Sequence, residues 1–142
     1  MKKLKILALD VGTKTIGVAI TDGLGLLAHP VCTLSRRGVN KDTDKLMAVI
    51  KEHDVEEVVV GLPYELDGTE ERSARLARQI GEAVRERAEL PIHYVDERYS
   101  SVEAERRLIE AGVSRQKRKE IIDQAAAVVI LESFLSTQKF SK

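Results

Sequence analysis

Residues 7–22, LALDVGTKTIGVAITD, hold two apolar runs separated by a short turn, and this stretch decides the fold. The first run, which starts at residue 4, is almost continuously hydrophobic, as is typical of a strand covered on both faces. Residues 12–14 favour a turn, so residues 15–21 are predicted to return as a second, antiparallel strand. Asp10 follows the first run. An Asp at the end of a strand is ordinarily a turn residue, and the rest of the chain decides whether it does more.

The remaining sequence predicts a mixed sheet with helices. Residues 26–34 read as a third strand, and Pro30 indicates that this strand lies at a sheet edge. Apolar periodicity then predicts helix, strand, loop, helix, strand and two helices, over residues 41–53, 58–62, 63–68, 70–88, 92–95, 101–111 and a last helix whose periodic part is 121–135. Right-handed crossovers make the strands that end at Asp10, Leu62 and Val95 parallel neighbours. The predicted fold class is therefore α/β, with a five-stranded mixed sheet (a three-strand antiparallel meander plus two parallel strands) flanked by helices.

Length and composition limit the possible functions. The chain has 142 residues, about the length of one domain; we expect residues 1–137 to form it and residues 138–142 to be a polar tail. The formal net charge is +0 although 32% of the residues are charged, so any basic surface must be local. Cys32 is the single cysteine, which excludes an internal disulfide and a cysteine zinc site. The first apolar run is too short for a secretion signal or a membrane helix, and we expect a cytoplasmic location.

Acidic residues collect where the parallel strands end, which is the edge at which α/β sheets bind ligands. Asp96 and Glu97 leave the last strand at the same edge as Asp10. Asp123 stands on the face of the last helix that carries the small or apolar residues at 127, 130 and 134. A buried carboxylate needs a cation or another polar group, so Asp123 is expected to point at this edge, with a buried ion pair as the alternative. The alanines at 125–127 would let the helix approach the sheet and bring Asp123 towards Asp10.

The residue types at this edge suggest a particular chemistry. Oxygen ligands without cysteine suit hard divalent cations, Mg²⁺ or Mn²⁺, completed by water and a substrate phosphate. Two such ions can activate water and stabilise the leaving oxygen of a phosphoryl displacement. The sequence therefore predicts a metal-dependent nuclease.

Four motifs resemble those of the YqgF family, also called RuvX: DVGTKTIGVA, VVVGLP…LDG, DERYSS and DQAAAVVIL, in this order over nearly the whole chain. The resemblance implies an RNase H-like fold related to the RuvC resolvase. It also implies a nuclease that acts in 5′-end maturation of pre-16S ribosomal RNA, with a Holliday junction resolvase as the alternative. Carried over to this chain, the catalytic and metal-binding acids are Asp10, Glu97 and Asp123, with Asp96 as a further metal ligand beside Glu97.

Basic residues are candidates for contacts with nucleic-acid phosphates. They are Lys14, Arg98, Arg115, Lys117, Arg118 and Lys119. The alternative for the run at 115–119 is a solvated helix start, and the alternative for Arg98 is an ion pair with Asp96. One position departs from the family pattern: Thr15 follows Lys14 where the family usually has Arg, so one phosphate contact is missing or supplied elsewhere.

The resemblance also implies partners, and other functions stay open. Precursor rRNA or branched DNA is the expected nucleic acid, with ribosomal precursor particles as further partners, no membrane, and a monomer or weak homodimer. DVGTKTIG also resembles the first phosphate loop of the sugar kinase, actin and Hsp70 ATPases, but 142 residues are too few for their two lobes. A noncatalytic module that binds nucleic acid or the ribosome is another alternative. The sequence does not separate RNA from DNA substrates.

Overall fold

The computed structural model describes residues 5–25, 27–62, 72–97 and 99–140. The elements are β1 (Ile6–Val11), β2 (Thr15–Thr21), β3 (Ala28–Ser35), α1 (Val39–Glu52), β4 (Glu57–Leu62), α2 (Arg72–Ala88), β5 (Ile92–Asp96), α3 (Ser100–Glu110) and α4 (Arg115–Phe140). The strands have the order β3-β2-β1-β4-β5 in one sheet. β2 is antiparallel to β1 and β3, whereas β1, β4 and β5 are parallel. The predicted α/β fold class and mixed sheet are confirmed.

The β1–β2 hairpin differs in one detail from the prediction. The ladder continues through the pairs Asp10↔Gly17 and Val11↔Ile16, so β1 ends two residues later than the apolar run suggests. The turn then closes with the Gly12 N–H donating to the Thr15 carbonyl at 2.8 Å. Asp10 is therefore part of a strand and not a turn residue.

Each face of the sheet has its own hydrophobic core, because successive strand residues point to opposite faces. On one face, Leu7 and Leu9 belong to a cluster completed by α1 and α2. On the other face, Ala8 and Val59 belong to a cluster completed by α4, and α3 packs outside against α4. Pro30 lies on the edge strand β3, as predicted.

Two strand glycines allow α4 to lie directly on the sheet. A Cβ atom on Gly17 would overlap the backbone of Asp123, and one on Gly61 would lie 2.5 Å from Cδ1 of Ile130. Of the three alanines predicted to let the helix approach, Ala126 and Ala127 are fully buried and Ala125 is partly buried. The role of Gly61 is thus to make room for a helix side chain.

Some predictions concern residues outside those described, namely Arg98, Leu26 and the loop at 63–68. α3 and α4 are separated by a break at Gly112, which has the left-handed φ of 78° that glycine adopts readily after a helix. α4 continues as far as Phe140. Within the described residues, the helices are too short or too polar to span a lipid bilayer.

Candidate active site

Asp10 occupies the α4 side of the sheet, near the end of β1. It is two residues after Ala8, which packs in the α4 cluster, and strand alternation gives the two residues the same face. Directly opposite is Gly17, whose missing side chain leaves room for α4. Burial raises the pKa of Asp10 from 3.8 to about 7, and the negative charge of Asp123 adds to this shift. Asp10 and Asp123 are therefore electrostatic neighbours across the gap between sheet and helix.

Asp123 reaches the same place from α4. The small and apolar residues on its helical face, Ala127, Ile130 and Phe134, are all buried, as the sequence predicts. Asp123 itself is partly buried, and burial raises the pKa of its carboxyl group. The Thr15 hydroxyl donates a hydrogen bond to Asp123 Oδ2. Thr15 thus contacts one of the predicted acids.

Glu97 also faces α4, but it meets a different part of the helix. Its backbone N–H donates to the Leu62 carbonyl at 3.1 Å, which extends the pairing of β4 and β5 beyond Asp96. Its side chain hydrogen-bonds Ser133, ten residues after Asp123 and so about 15 Å further along the helix axis. Burial raises the pKa of Glu97, the Ser133 hydrogen bond opposes this shift, and the charge of Asp96 adds to it.

The predicted acids thus fall into two groups. Asp10 and Asp123 come together, Glu97 is held at Ser133, and Asp96 is exposed at the end of β5. In the part of the chain that the structure describes, no group of three or more His, Cys, Asp or Glu side chains is arranged to hold a metal ion. The pair Asp10 and Asp123 nevertheless fits a hard divalent cation, because Mg²⁺ is commonly bound by one or two carboxylates, with water and substrate phosphate completing its coordination.

A buried ion pair, which sequence reasoning missed, holds the turn beside this site. Arg36 Nε contacts Asp42 Oδ2 at 2.6 Å, with Asp42 only 1% exposed. Arg36 Nη1 also donates to the Gly12 carbonyl at 2.8 Å, and the Arg36 N–H donates to the Lys14 carbonyl at 2.8 Å. The available signal was the position of Asp42 one turn before Leu46, in line with the buried face of α1.

The candidate basic residues divide by exposure. Lys14 is exposed in the β1–β2 turn, and Arg115, Lys117 and Lys119 are exposed in the first turns of α4. Arg118 is largely buried, and its Nη1 donates to the Val113 carbonyl at 2.8 Å. Arg118 thus helps to close the connection between α3 and α4, whereas the other four side chains are exposed.

A family model described as RuvX, Holliday junction resolvase, matches residues 4–137. The chain belongs to the RuvX family. Among its relatives, a protein of Clostridioides difficile (strain 630) named "Putative pre-16S rRNA nuclease" is 47% identical over 131 residues, which cover 92% of this chain and 93% of that protein. A protein of Myxococcus xanthus (strain DK1622) with the same name is 42% identical over 136 residues, covering 96% and 90%.

Solved structures similar to this RuvX member support its fold. T. thermophilus RuvC in complex with a Holliday junction substrate has a TM-score of 0.57 at 15% identity, covering 95% of this chain and 96% of that one. The fowlpox virus Holliday junction resolvase has a TM-score of 0.59 at 10% identity, covering 95% and 99%. These similarities confirm the RNase H-like fold that the sequence motifs imply.

Proposed function

We propose that this chain is a nuclease that hydrolyses phosphodiester bonds in nucleic acid, with Asp10 and Asp123 at the centre of its active site. The observation that carries the proposal is that the charge of Asp123 acts on Asp10 at the end of the central strands, where α/β sheets bind ligands. Two carboxylates that repel each other at short range are expected where a cation binds. The names of the relatives support the same activity.

The proposed cofactor is Mg²⁺ or Mn²⁺, held by Asp10 and Asp123. When bound, a divalent cation stabilises the negative charge that develops on the phosphodiester, and a second ion would act on the leaving oxygen. Burial raises the pKa of Asp10 to about 7, and Asp10 would hold the ion in its ionised form, because the ligand form of a carboxylate is ionised. The Thr15 hydroxyl orients Asp123 by donating to Oδ2. Glu97 is proposed as the third catalytic acid on the strength of the DERYSS motif, with Asp96 as the alternative ligand.

The proposed substrate is precursor 16S ribosomal RNA, processed at its 5′ end. This follows the names of the relatives that are 42–47% identical over at least 90% of both chains. A Holliday junction is the second candidate, because the family model carries that description. We further propose that the protein acts on ribosomal precursor particles in the cytoplasm. It does so as a single domain of residues 1–137, and as a monomer or weak homodimer.

The test is cleavage of both substrates by Asp10→Asn, which keeps the size of the side chain and removes its charge. With Mg²⁺ or Mn²⁺, we expect cleavage to fall by at least a hundredfold, because a neutral amide is a poor ligand for a hard cation. Asp44→Asn is the matched control, since Asp44 is an exposed residue of α1 paired with Arg87. Full cleavage by Asp10→Asn would contradict the proposal. Binding without cleavage by the wild-type protein would favour the noncatalytic module.

A further inference from the structure

A cavity of about 300 Å³ lies between α3 and the first turns of α4. Its lining has three cationic side chains, one carboxylate and one apolar residue, namely Arg115, Arg118, Lys119, Glu105 and Ile122. The whole chain has a formal net charge of +0, so this concentration of positive charge is local. We name this cavity the α3–α4 pocket.

A buried donor in the α3–α4 pocket has no acceptor. Arg118 Nη1 is occupied by the Val113 carbonyl, but Nε is buried and has no hydrogen-bond partner among the described residues. The nearest carboxylate oxygen, Glu105 Oε1, is 4.0 Å away, beyond hydrogen-bond distance. Buried polar groups in folded proteins nearly always have a partner. The pocket therefore offers positive charge to an anionic ligand, and the buried Nε–H of Arg118 in its wall lacks an acceptor that would offset that charge.

The N-terminal end of α4 also makes the α3–α4 pocket favourable for an anion. The helix begins after Ser114, whose hydroxyl accepts the Lys117 N–H at 3.2 Å as an N-cap. The N-terminal end of a helix carries a partial positive charge that favours anions. Arg115, Arg118 and Lys119 lie within this first part of the helix, so side-chain charge and helix dipole act in the same direction.

The α3–α4 pocket is close to the proposed active site along the same helix. Lys119 is four residues before Asp123, about 6 Å along the helix axis, and Ile122 of the pocket wall is the neighbour of Asp123 in sequence. A nucleic-acid strand whose scissile phosphate lies at Asp10 and Asp123 would carry a neighbouring phosphate past this pocket.

We infer that the α3–α4 pocket binds a backbone phosphate of the nucleic-acid substrate, adjacent to the phosphate that is cleaved. The inference rests on the proposed nuclease function and assigns its substrate contact. Arg115 and Lys119 hold the phosphate, and the positive charge of Arg118 in the pocket wall adds to the attraction. Glu105 weakens the site because its negative charge opposes the ligand. Lys117 is outside the pocket, with its Nζ 3.5 Å from Glu120.

The experiment measures binding of a fluorescent single-stranded RNA and a branched DNA by anisotropy in EDTA, where metal-dependent cleavage does not interfere. For the double variant Arg115→Gln and Lys119→Gln, we expect about a tenfold rise in Kd and a log–log salt slope smaller by about 0.7, the value for one phosphate contact on a single strand. Lys117→Gln is the matched control and should change Kd less than twofold. Glu105→Gln should lower Kd, because it removes a repulsive charge from the pocket.

Arg118 is kept intact in these variants because it closes the α3–α4 connection, and its Nε–H is observed directly by NMR. This resonance should shift when RNA binds and should shift less with inorganic phosphate alone. Equal loss of binding in Lys117→Gln and in the double variant would overturn the inference, since it would indicate diffuse attraction. An Nε–H that responds to phosphate but not to RNA would also overturn it.

The outcomes separate this inference from the nuclease proposal. If the wild-type protein binds RNA through the pocket but does not cleave it, the nuclease function is wrong and the pocket is right. If cleavage depends on Asp10 while the double variant binds and cleaves as the wild type does, the nuclease function is right and the pocket is wrong.

Discussion

The hydroxyl of Thr15 donates to Asp123 across the gap between β2 and α4. A hydrogen bond to an ionised carboxylate stabilises the charged form and fixes its orientation. Burial has the opposite effect, because it raises the pKa of Asp123. Thr15 therefore favours the ionised form of Asp123, which is the form that the proposed metal site requires. The hydroxyl at this position thus acts on the acid of α4.

Replacing Thr15 by Val keeps the shape of the side chain and removes the donor. We expect Thr15→Val to lower the cleavage rate about tenfold, since hydrogen bonds to charged groups contribute about 1.5–3 kcal/mol, and to raise the pKa of Asp123 as followed by carboxyl NMR without metal. Thr15→Ser retains the hydroxyl and should restore both properties. Equal behaviour of the Val and Ser variants would show that the hydrogen bond has no role in positioning.

At the scale of elements, the contact between α4 and the sheet determines the site. The Asp123 backbone lies where a side chain of Gly17 would be, and Gly17 pairs with Asp10. One backbone contact thus fixes the distance between the strand and the helix that carry the two acids. Sequence patterns predict both the strand and the helix. A glycine within a strand, however, does not indicate which helix packs against it. The contact with Ile130 at Gly61 was unpredictable for the same reason.

A methyl group at position 17 should disturb this contact. We expect Gly17→Ala to destabilise the protein by about 3 kcal/mol or more, because overpacking against a fixed backbone forces the helix to move. Gly23→Ala is the control, since a Cβ atom there meets nothing within 4 Å. The two variants are compared by urea denaturation, and equal midpoints and slopes would contradict the close approach of α4.

At the scale of the whole molecule, the acids of the site make stability depend on pH. Burial and Asp123 raise the pKa of Asp10 to about 7, and the pKa values of Glu97 and Asp123 are also raised. Between its unfolded pKa near 3.8 and about 7, the folded protein binds more protons at Asp10 than the unfolded chain does. The free energy of unfolding therefore falls as pH rises through this range. The effect of Glu103 on stability has the opposite pH dependence, because Arg106 and Arg107 lower its pKa to about 2. Its contribution to the free energy of unfolding is lost only in stronger acid.

We expect Asp10→Asn to remove part of this dependence. In EDTA the variant should be more stable than the wild type at pH 8, by on the order of 1–3 kcal/mol. The difference should become small towards pH 4, where Asp10 is protonated in the folded protein and about half protonated in the unfolded chain. Thermal unfolding from pH 4 to 8 measures both curves. Mn²⁺ should raise the melting temperature of the wild type more than that of the variant, since a ligand of the folded state stabilises it. Parallel curves for the two proteins would exclude a raised pKa at Asp10.

Much of the fold and part of the site could be predicted from the sequence. Hydrophobic periodicity reports burial directly, so the face of α4 that carries Asp123 was predicted and is confirmed. The handedness of crossovers predicted which parallel strands are neighbours, and this is also confirmed. The hydrogen bond of Glu97 to Ser133 depends on the angle at which α4 crosses the sheet, which periodicity does not specify. The Arg36 side chain contacts both the Gly12 carbonyl and Asp42 of α1, so it links three segments of the chain. Such contacts appear only once the chain is folded.

The hydrogen bond between Thr15 and Asp123 joins residues 108 positions apart, which has a consequence for how the protein is made. The first strands emerge from the ribosome long before α4 does, and the entropy of closing so long a loop delays their contact. A nascent chain therefore has the Asp10 carboxylate without its partner. If the chain is the nuclease proposed above, cleavage would begin only after the last helix has docked, and an unfinished copy of the chain would not cleave the nucleic acid around it.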